Sequence, residues 1–208
     1  ELAFFYKNRI EKVSIFVDGR KNQYKFKLKY KPLYVRLDPN DDLLIEVEQS
    51  LSRDALLIKL KRDNVIGRME AANNLIDHIQ DSQVLKLLKR SAYYDKSWLV
   101  RQASLKAISG ELNYKELTVA YDREKHSQPR KTIITQMSTN YPQESAEFIR
   151  GKIVNDNSYV VQAEMVKQLG AIGKSSDIIL IKKLSKEWSP RHIIRKASNK
   201  AILLLEGE

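Results

Sequence analysis

Apolar and polar positions along this chain change rhythm once, near residue 50. Before that point the period is two. From Gln23 to Lys31, Tyr24, Phe26, Leu28 and Tyr30 alternate with Lys25, Lys27, Lys29 and Lys31. That is the pattern of an antiparallel strand with one buried and one wet face. Val13, Ile15 and Val17 alternate in the same way, and Asp18-Gly19 opens the link between the two runs as a hairpin signal. A third run, Leu33 to Leu37, ends at the strong turn Asp38-Pro39-Asn40-Asp41. Three short strands with a single apolar face are marginal alone. The Tyr24–Tyr30 face is therefore expected to pack on the first helices, stay exposed or pair with another copy. The four lysines are expected in water, because burying them unpaired is too costly.

After residue 50 the period is helical. Ser52-Arg53-Asp54 predicts a capped helix carrying Leu56, Leu57 and Leu60, and Asp63 or Asn64 caps the next. The pattern then runs in pairs: 82–92 with 96–109, 114–124 with 129–140, 143–154 with 158–171, and 177–187 with 190–205. The expectation is ten helices in five pairs. Pro129 and Pro190 sit where a first helical turn tolerates proline, and Gly110, Gly170 and Gly173 where helices would stop.

One phrase recurs within the helical part. Aligning Arg68, Arg101, Arg130, Gln162 and Arg195 places an apolar residue seven positions later each time: Leu75, Ile108, Met137, Leu169 and Ile202. The steps between anchors are 33, 29, 32 and 33 residues. A helical period near 30 is the signature of an α-solenoid. Ala71, Ala72, Ala103, Ala107 and Ala197 are small enough to let helices approach closely. Asp63, Asp95 and Asp156 precede Arg68, Arg101 and Gln162 by five or six residues. An Asp of one repeat bonding the Arg of its neighbour would make a ladder along the stack. Asp95, Val100 and Arg101, and less cleanly Asp63 with Arg68, resemble the HEAT-repeat pattern. The third copy, at Arg130, has neither a clean Asp nor regular spacing, and the fifth has Ser189 instead of Asp, so the ladder is not expected to be regular there.

Composition changes this picture little. The chain has 208 residues, 42% hydrophobic and 30% charged, and no cysteine. There is thus no disulfide, thiolate metal site or cysteine nucleophile. The net charge is +11, and residues 1–36 supply +7 of it, with ten basic and three acidic side chains. Residues 38–48 carry five acids and no base. No apolar run reaches the length of a membrane span, and no signal peptide is visible. The compartment is left open: soluble, cytoplasmic or exported. The chain starts in strand-like sequence without Met, which suggests a piece of a longer protein.

Candidate chemistry is sparse. His78, His126 and His192 show no metal-ligand spacing. Gly170 to Ser175 is superficially like the end of a phosphate-binding loop, but lacks the strand and first glycine that such a loop needs. Asp41-Asp42 reads as an acidic turn, not a catalytic dyad. No nucleophile elbow is present. Neither a catalytic residue, a cofactor-binding residue nor a metal ligand is assigned. A basic group, Arg191, Arg195, Lys196 and Lys200 with Lys182, Lys183 and Lys186, could track a phosphate backbone, and Trp98 and Trp188 could stack on bases. Glu187 and Asp177 interrupt this group, and both tryptophans sit where packing would use them. Solvated surface is the favoured reading over a nucleic-acid groove.

The junction of the two halves is distinctive. Tyr34-Val35-Arg36-Leu37-Asp38-Pro39-Asn40-Asp41-Asp42-Leu43-Leu44 is followed by Ser52, Leu56, Leu57 and Leu60, then by Asp63-Asn64-Val65-Ile66-Gly67-Arg68 and Glu70-Ala71-Ala72. This resembles the C-terminal region of zinc aminopeptidases of the aminopeptidase N and leukotriene hydrolase type, tightly over Lys31–Leu75 and beyond that only in repeat style. The resemblance implies that residues 1–48 end a β-sandwich-like domain and that 49–208 form a HEAT-like α-solenoid. It implies an upstream catalytic domain in the same polypeptide, holding zinc through His-Glu-x-x-His and a distal Glu and acting on peptides. None of those motifs lies in this chain. It would shape substrate access or hold a protein partner, with no membrane role. The alternative is an independent HEAT-like module binding protein or nucleic acid.

Overall fold

The structure, a computed structural model, describes residues 1–45 and 47–207. Among these, a three-stranded antiparallel sheet precedes ten α-helices, so the protein is mainly α with a short β segment. It divides into two compact units, Glu1–Leu87 and the remainder from Leu88.

In the first unit, β1 (Leu2–Phe5) lies between β2 (Ile10–Val13) and β3 (Tyr34–Leu37), with Phe5 opposite Ile10 on one side and Tyr34 on the other. Helices α1 (Arg53–Arg62) and α2 (Val65–Asn74) follow, then a 3-10 turn over Leu75–His78. The alternating pattern of β1 and β3 gives Ala3, Phe5 and Tyr34 to the core, where they meet Ala55 of α1, with Leu51 and Ile58 at the margin. Phe5 and Tyr34 stack with ring centroids 4.2 Å apart. Ser52 caps α1 and Asn64 caps α2, as their residue types predict.

The run from Gln23 to Lys31 does not form the strand its period predicts. Strand residues need backbone partners on a neighbour; β1 is paired on both sides, and among the described residues this run pairs with neither of the outer edges of β2 and β3. Residues 14–33 therefore run outside the sheet. Tyr24, Phe26, Leu28 and Tyr30 remain 37–55% exposed, although Phe26 meets Phe4 edge-on at 5.1 Å. The alternate lysines are exposed, as expected. Asp18-Gly19 lies in a bend in which Asn22 Nδ2 donates to the Gly19 carbonyl at 2.8 Å, but it joins no strand pair.

Helix α3 (Ser82–Tyr94) runs across the division of units. The second unit continues with α4 (Trp98–Ala107), α5 (Tyr114–Arg123), α6 (Ser127–Asn140), α7 (Pro142–Lys152), α8 (Tyr159–Ile172), α9 (Ile178–Leu184) and α10 (Ile193–Glu206). Here α4 packs on α6, α6 on α8 and α8 on α10, while α5 packs on α6, α7 on α6 and α8, and α9 on α10. Contacts between sequence neighbours are what a period near 30 requires. The apolar residue seven after the first four anchors is buried within its own unit: Leu75 in the first, and Ile108, Met137 and Leu169 in the second, are at most 1% exposed. Ile202, in the last helix, is only partly covered.

Two expectations need correction. Gly170 does not stop a helix; it lies inside α8, and Gly173 caps it. A Cβ on Gly170 would stand 2.6 Å from Ala201 Cα, so the missing side chain is what lets α8 and α10 approach. The last helix also begins later than the Pro190 start predicts. Pro190–His192 form a 3-10 turn, with Arg191 and His192 at φ 53° and 54°. The Ser189 hydroxyl accepts from Ile194 N–H at 3.2 Å, giving the turn a local acceptor where earlier repeats have a carboxylate.

Gly170→Ala is expected to destabilise the protein by about 1–3 kcal/mol through overpacking. Ala201→Gly should restore only part of this, because the backbone of residue 201 is also in the way. Urea unfolding of the single and double variants checks it; an unchanged midpoint for Gly170→Ala would refute the close-packing role.

Candidate functional site

Four of the five repeat anchors share one local task, while Arg195 in the last helix is exposed. Each reaches back to carbonyls in the loop that opens its own helix: Arg68 to Asp63 at 2.9 Å, Arg101 to Asp95 at 2.9 Å, Arg130 to Lys125 at 3.2 Å and Gln162 to Asp156 at 2.9 Å. These carbonyls belong to loop residues outside the helix ladder, where a side-chain donor gives them a partner and fixes the loop. Gln162 does this as well as an arginine, because the amide keeps the donor.

Arginine adds a second contact that glutamine cannot. Arg101 forms a two-pronged pair with Glu124 at 2.6 and 2.8 Å, and Arg130 reaches Asp156 at 2.9 Å and Asn157 at 3.1 Å. Both carboxylates belong to the loop before the following even-numbered helix. The third copy therefore keeps its place in the ladder, against expectation: Glu124 supplies the acid for Arg101, and Arg130 serves the next loop. The sequence hid this because Glu124 lies six residues before Arg130 without being an Asp. Tyr121 also donates to Asp156.

The same chemistry builds the junction in the first unit. Arg36 of β3 is 5% exposed and contacts Asp63, Asn64 and Asp41. Tyr34 donates to Asp63 at 3.2 Å. Asn64 accepts from Gly67 N–H at 2.9 Å and donates to the Pro39 carbonyl and Asp41 at 3.1 and 2.7 Å. Gly67 is required here, because a Cβ would lie 2.2 Å from an Asp63 oxygen and 2.7 Å from Arg36 Nη1. Sequence reasoning did not single out Arg36, Tyr34 or Gly67 for this role. An arginine inside an apolar strand run was the available signal.

Electrostatics follow from burial and pairing. Burial alone would raise the Glu124 carboxyl, but the Arg101 guanidinium and the His126 N–H outweigh it and hold the group below the usual carboxylate range. The Arg150 pair, at 2.6 and 2.8 Å, lowers Asp177 in the same way. Burial, then the neighbouring Asp63, pushes the Tyr34 hydroxyl well up; burial and Asp156 do the same to Tyr121. None of these groups is poised near neutrality, as proton transfer catalysis would want.

Most of the remaining candidates fall into structural roles, while Trp188, expected in packing, is largely exposed. His126 stacks on Trp98 at 4.2 Å, and its Nδ1 accepts from Gln128 N–H. His78 sits in the 3-10 turn after α2, and His192 in the left-handed turn before α10. Among the described residues, no three acids or histidines are grouped to hold a metal. Asp41 is bound to Arg36 and Asn64, and Asp42 accepts from Asn40 at 3.2 Å. Lys174 and Asp177 close a 3-10 turn, with Lys174 N–H donating to Asp177 at 2.9 Å. Trp188 meets Tyr159 edge-on at 5.7 Å and stays 70% exposed.

The basic group does not converge on one surface feature. Lys182 faces Glu206 at 3.7 Å, Lys183 and Lys186 are simply exposed, and Arg191 borders a cavity beside Lys125, His126 and Tyr159. Lys196 and Lys200 instead flank a groove of about 370 Å³ between α8 and α10. Its apolar surface comes from Val160, Ala163, Ile193, Ala197, Ala201 and Leu204, and Lys131 and Lys167 stand on the other side. Glu164 lies among them, 5% exposed, accepting from Gln168 at 2.7 Å and Thr135 at 3.2 Å and pairing with Lys131 and Lys167. Lys131 and Lys167 had no sequence signal marking them, because they belong to different helices.

No protein-family model and no curated protein matches this sequence. No described helix is long and apolar enough to cross a membrane.

Two variants test the electrostatic reading. Glu124→Gln is expected to cost about 2 kcal/mol at neutral pH, as a charged hydrogen-bonded pair is lost. The folded carboxyl is lowered, so its contribution is full above the unfolded glutamate pKa and fades as pH falls through the folded value. The gap between wild type and Glu124→Gln should thus narrow below about pH 4, in urea unfolding across pH; a gap that widens there would contradict the pairing. Arg36→Leu, which strands the buried Asp63, is expected to cost about 3 kcal/mol. Loss of hydrogen-exchange protection in the sheet and in α1 and α2 would report it, and unchanged protection would refute it.

Proposed function

We propose that this chain is a non-catalytic helical scaffold, the C-terminal region of an aminopeptidase-like zinc metallopeptidase, in which a HEAT-like array follows the end of a β-sandwich-like domain. One observation carries the reading. Residues of the resemblance, Tyr34, Arg36, Pro39 and Asp41 with Asp63, Asn64 and Gly67, meet in one hydrogen-bonded network around the buried Arg36 and Asp63. A phrase that spans two elements in sequence thus corresponds to one physical joint, and Gly67 has a steric reason within it. A joint of this kind fixes the exit of a β segment against the first helix pair. That suits a domain whose task is to hold a shape beside a catalytic centre carried elsewhere in the polypeptide. In this reading zinc belongs to the upstream domain, peptides are the substrates of the whole enzyme, and the helices limit access or hold a partner.

The alternative, an independent HEAT-like binding module, draws its support from the groove between α8 and α10, which combines an apolar lining with lysines.

The coding sequence upstream of Glu1 decides between them. The first reading expects His-Glu-x-x-His and a distal Glu there. The longer polypeptide should release amino-terminal residues from aminoacyl-nitroanilides and stop when a chelator removes zinc. Residues 1–208 alone should neither retain stoichiometric zinc after dialysis nor turn over these substrates. An upstream region without the zinc motif, or turnover by the isolated chain, would sink the metallopeptidase reading.

A further inference from the structure

We infer that the groove between α8 and α10 is a docking site for an acidic amphipathic helix of a protein partner. Its lining follows helical spacing on both walls: Val160, Ala163, Glu164 and Lys167 on α8, and Ile193, Lys196, Ala197, Lys200, Ala201 and Leu204 on α10. The α10 stripe is about 16 Å long at ~1.5 Å per residue, roughly three helical turns. Small residues at Ala163 and Ala197 leave the groove concave. Leu204, 60% exposed, extends the apolar surface at one end.

Charge selects the occupant. Four lysines border the groove against one carboxylate, Glu164. That carboxylate is already committed to Gln168, Thr135, Lys131 and Lys167, so it has little to offer a cation from outside. Lys196 and Lys200 are exposed and have no acidic partner among the described residues. A ligand with apolar residues along one stripe and Asp or Glu beside it would bury the first against the alanines, valine and leucine and pair the second with the lysines, the helix-in-groove mode. Nucleic acid fits less well: no aromatic side chain lines the groove for base stacking, and lysine lacks arginine's two-pronged grip on phosphate. A membrane surface fits poorly as well, because the apolar atoms lie in a concavity instead of on a ridge. The inference goes beyond the scaffold reading and does not need zinc or a catalytic domain, so its failure would leave the metallopeptidase proposal standing.

The test is selection of a displayed library of random peptides, about 14 residues long, against the full chain, followed by fluorescence anisotropy of the selected peptides. Enrichment of Asp and Glu flanking Leu, Ile, Val or Phe at helical spacing is expected. Lys196→Glu with Lys200→Glu should weaken binding at least about tenfold, roughly 1.4 kcal/mol, and Ala197→Arg, which fills the groove, should do the same. Thermal unfolding of both variants, whose changes lie on the surface, establishes that they fold. Selection of no peptide, of peptides without acidic enrichment, or of peptides indifferent to both variants would overturn the inference. So would a single-stranded oligonucleotide or an anionic phosphatidylserine vesicle that binds through Lys196 and Lys200 while the selected peptides fail to compete.

Discussion

A buried carboxylate held by an arginine from an earlier, non-adjacent element is the interaction that recurs in both units. It occurs as Arg36 with Asp63 in the first unit, and as Arg101 with Glu124 and Arg130 with Asp156 in the second. The acid sits in the loop before a helix, and the anchor of that helix donates to a backbone carbonyl of the same loop. Each loop is therefore fixed from both sides. Breaking one partner strands a charge out of water, which costs far more than losing an exposed ion pair. The geometry of successive helices follows from these fixed loops.

Packing adds a second constraint of a different kind. Hydrophobic burial along α4, α6, α8 and α10 is generic and tolerates many aliphatic residues. The approach of α8 to α10 is specific, because Gly170 leaves room for the Ala201 backbone. The same approach, with Ala163 and Ala197 above it, creates the groove in which lysines from three helices come together. One stripe of small residues thus serves stability on its buried side and leaves a concave surface on its exposed side. The scaffold proposal and the docking inference draw on different parts of the chain, the first on the Arg36 joint and the second on this groove.

Helix existence was legible in the sequence because apolar periodicity and capping residues agree. Ser52, Asn64 and Asn113 cap the helices that follow them, and the residue seven after each anchor marks the core. The β segment was less legible. Period two marks any half-buried extended segment, but a strand also needs a backbone partner, and among the described residues Gln23–Lys31 takes none although the outer edges of β2 and β3 are open. Gly170 was misread for a related reason: glycine permits both a helix stop and a close helical crossing, and only the position of Ala201 distinguishes them.

The sequence by itself determined the helical repeat, the apolar core stripe and the absence of cysteine chemistry, because each depends on residue type and spacing within one element. Tertiary structure alone decided which acid meets which arginine, that Glu124 takes the place of an aspartate, that Gln162 can replace an arginine at the loop carbonyls, and that Lys131, Lys167, Lys196 and Lys200 border one groove. The acid–arginine pairs join residues 23 to 27 positions apart, the groove lysines come from three helices, and even the six-residue reach of Gln162 spans the turn into its helix. These relations depend on the rotation of each helix about its axis and on the distance between axes, and local periodicity carries neither quantity.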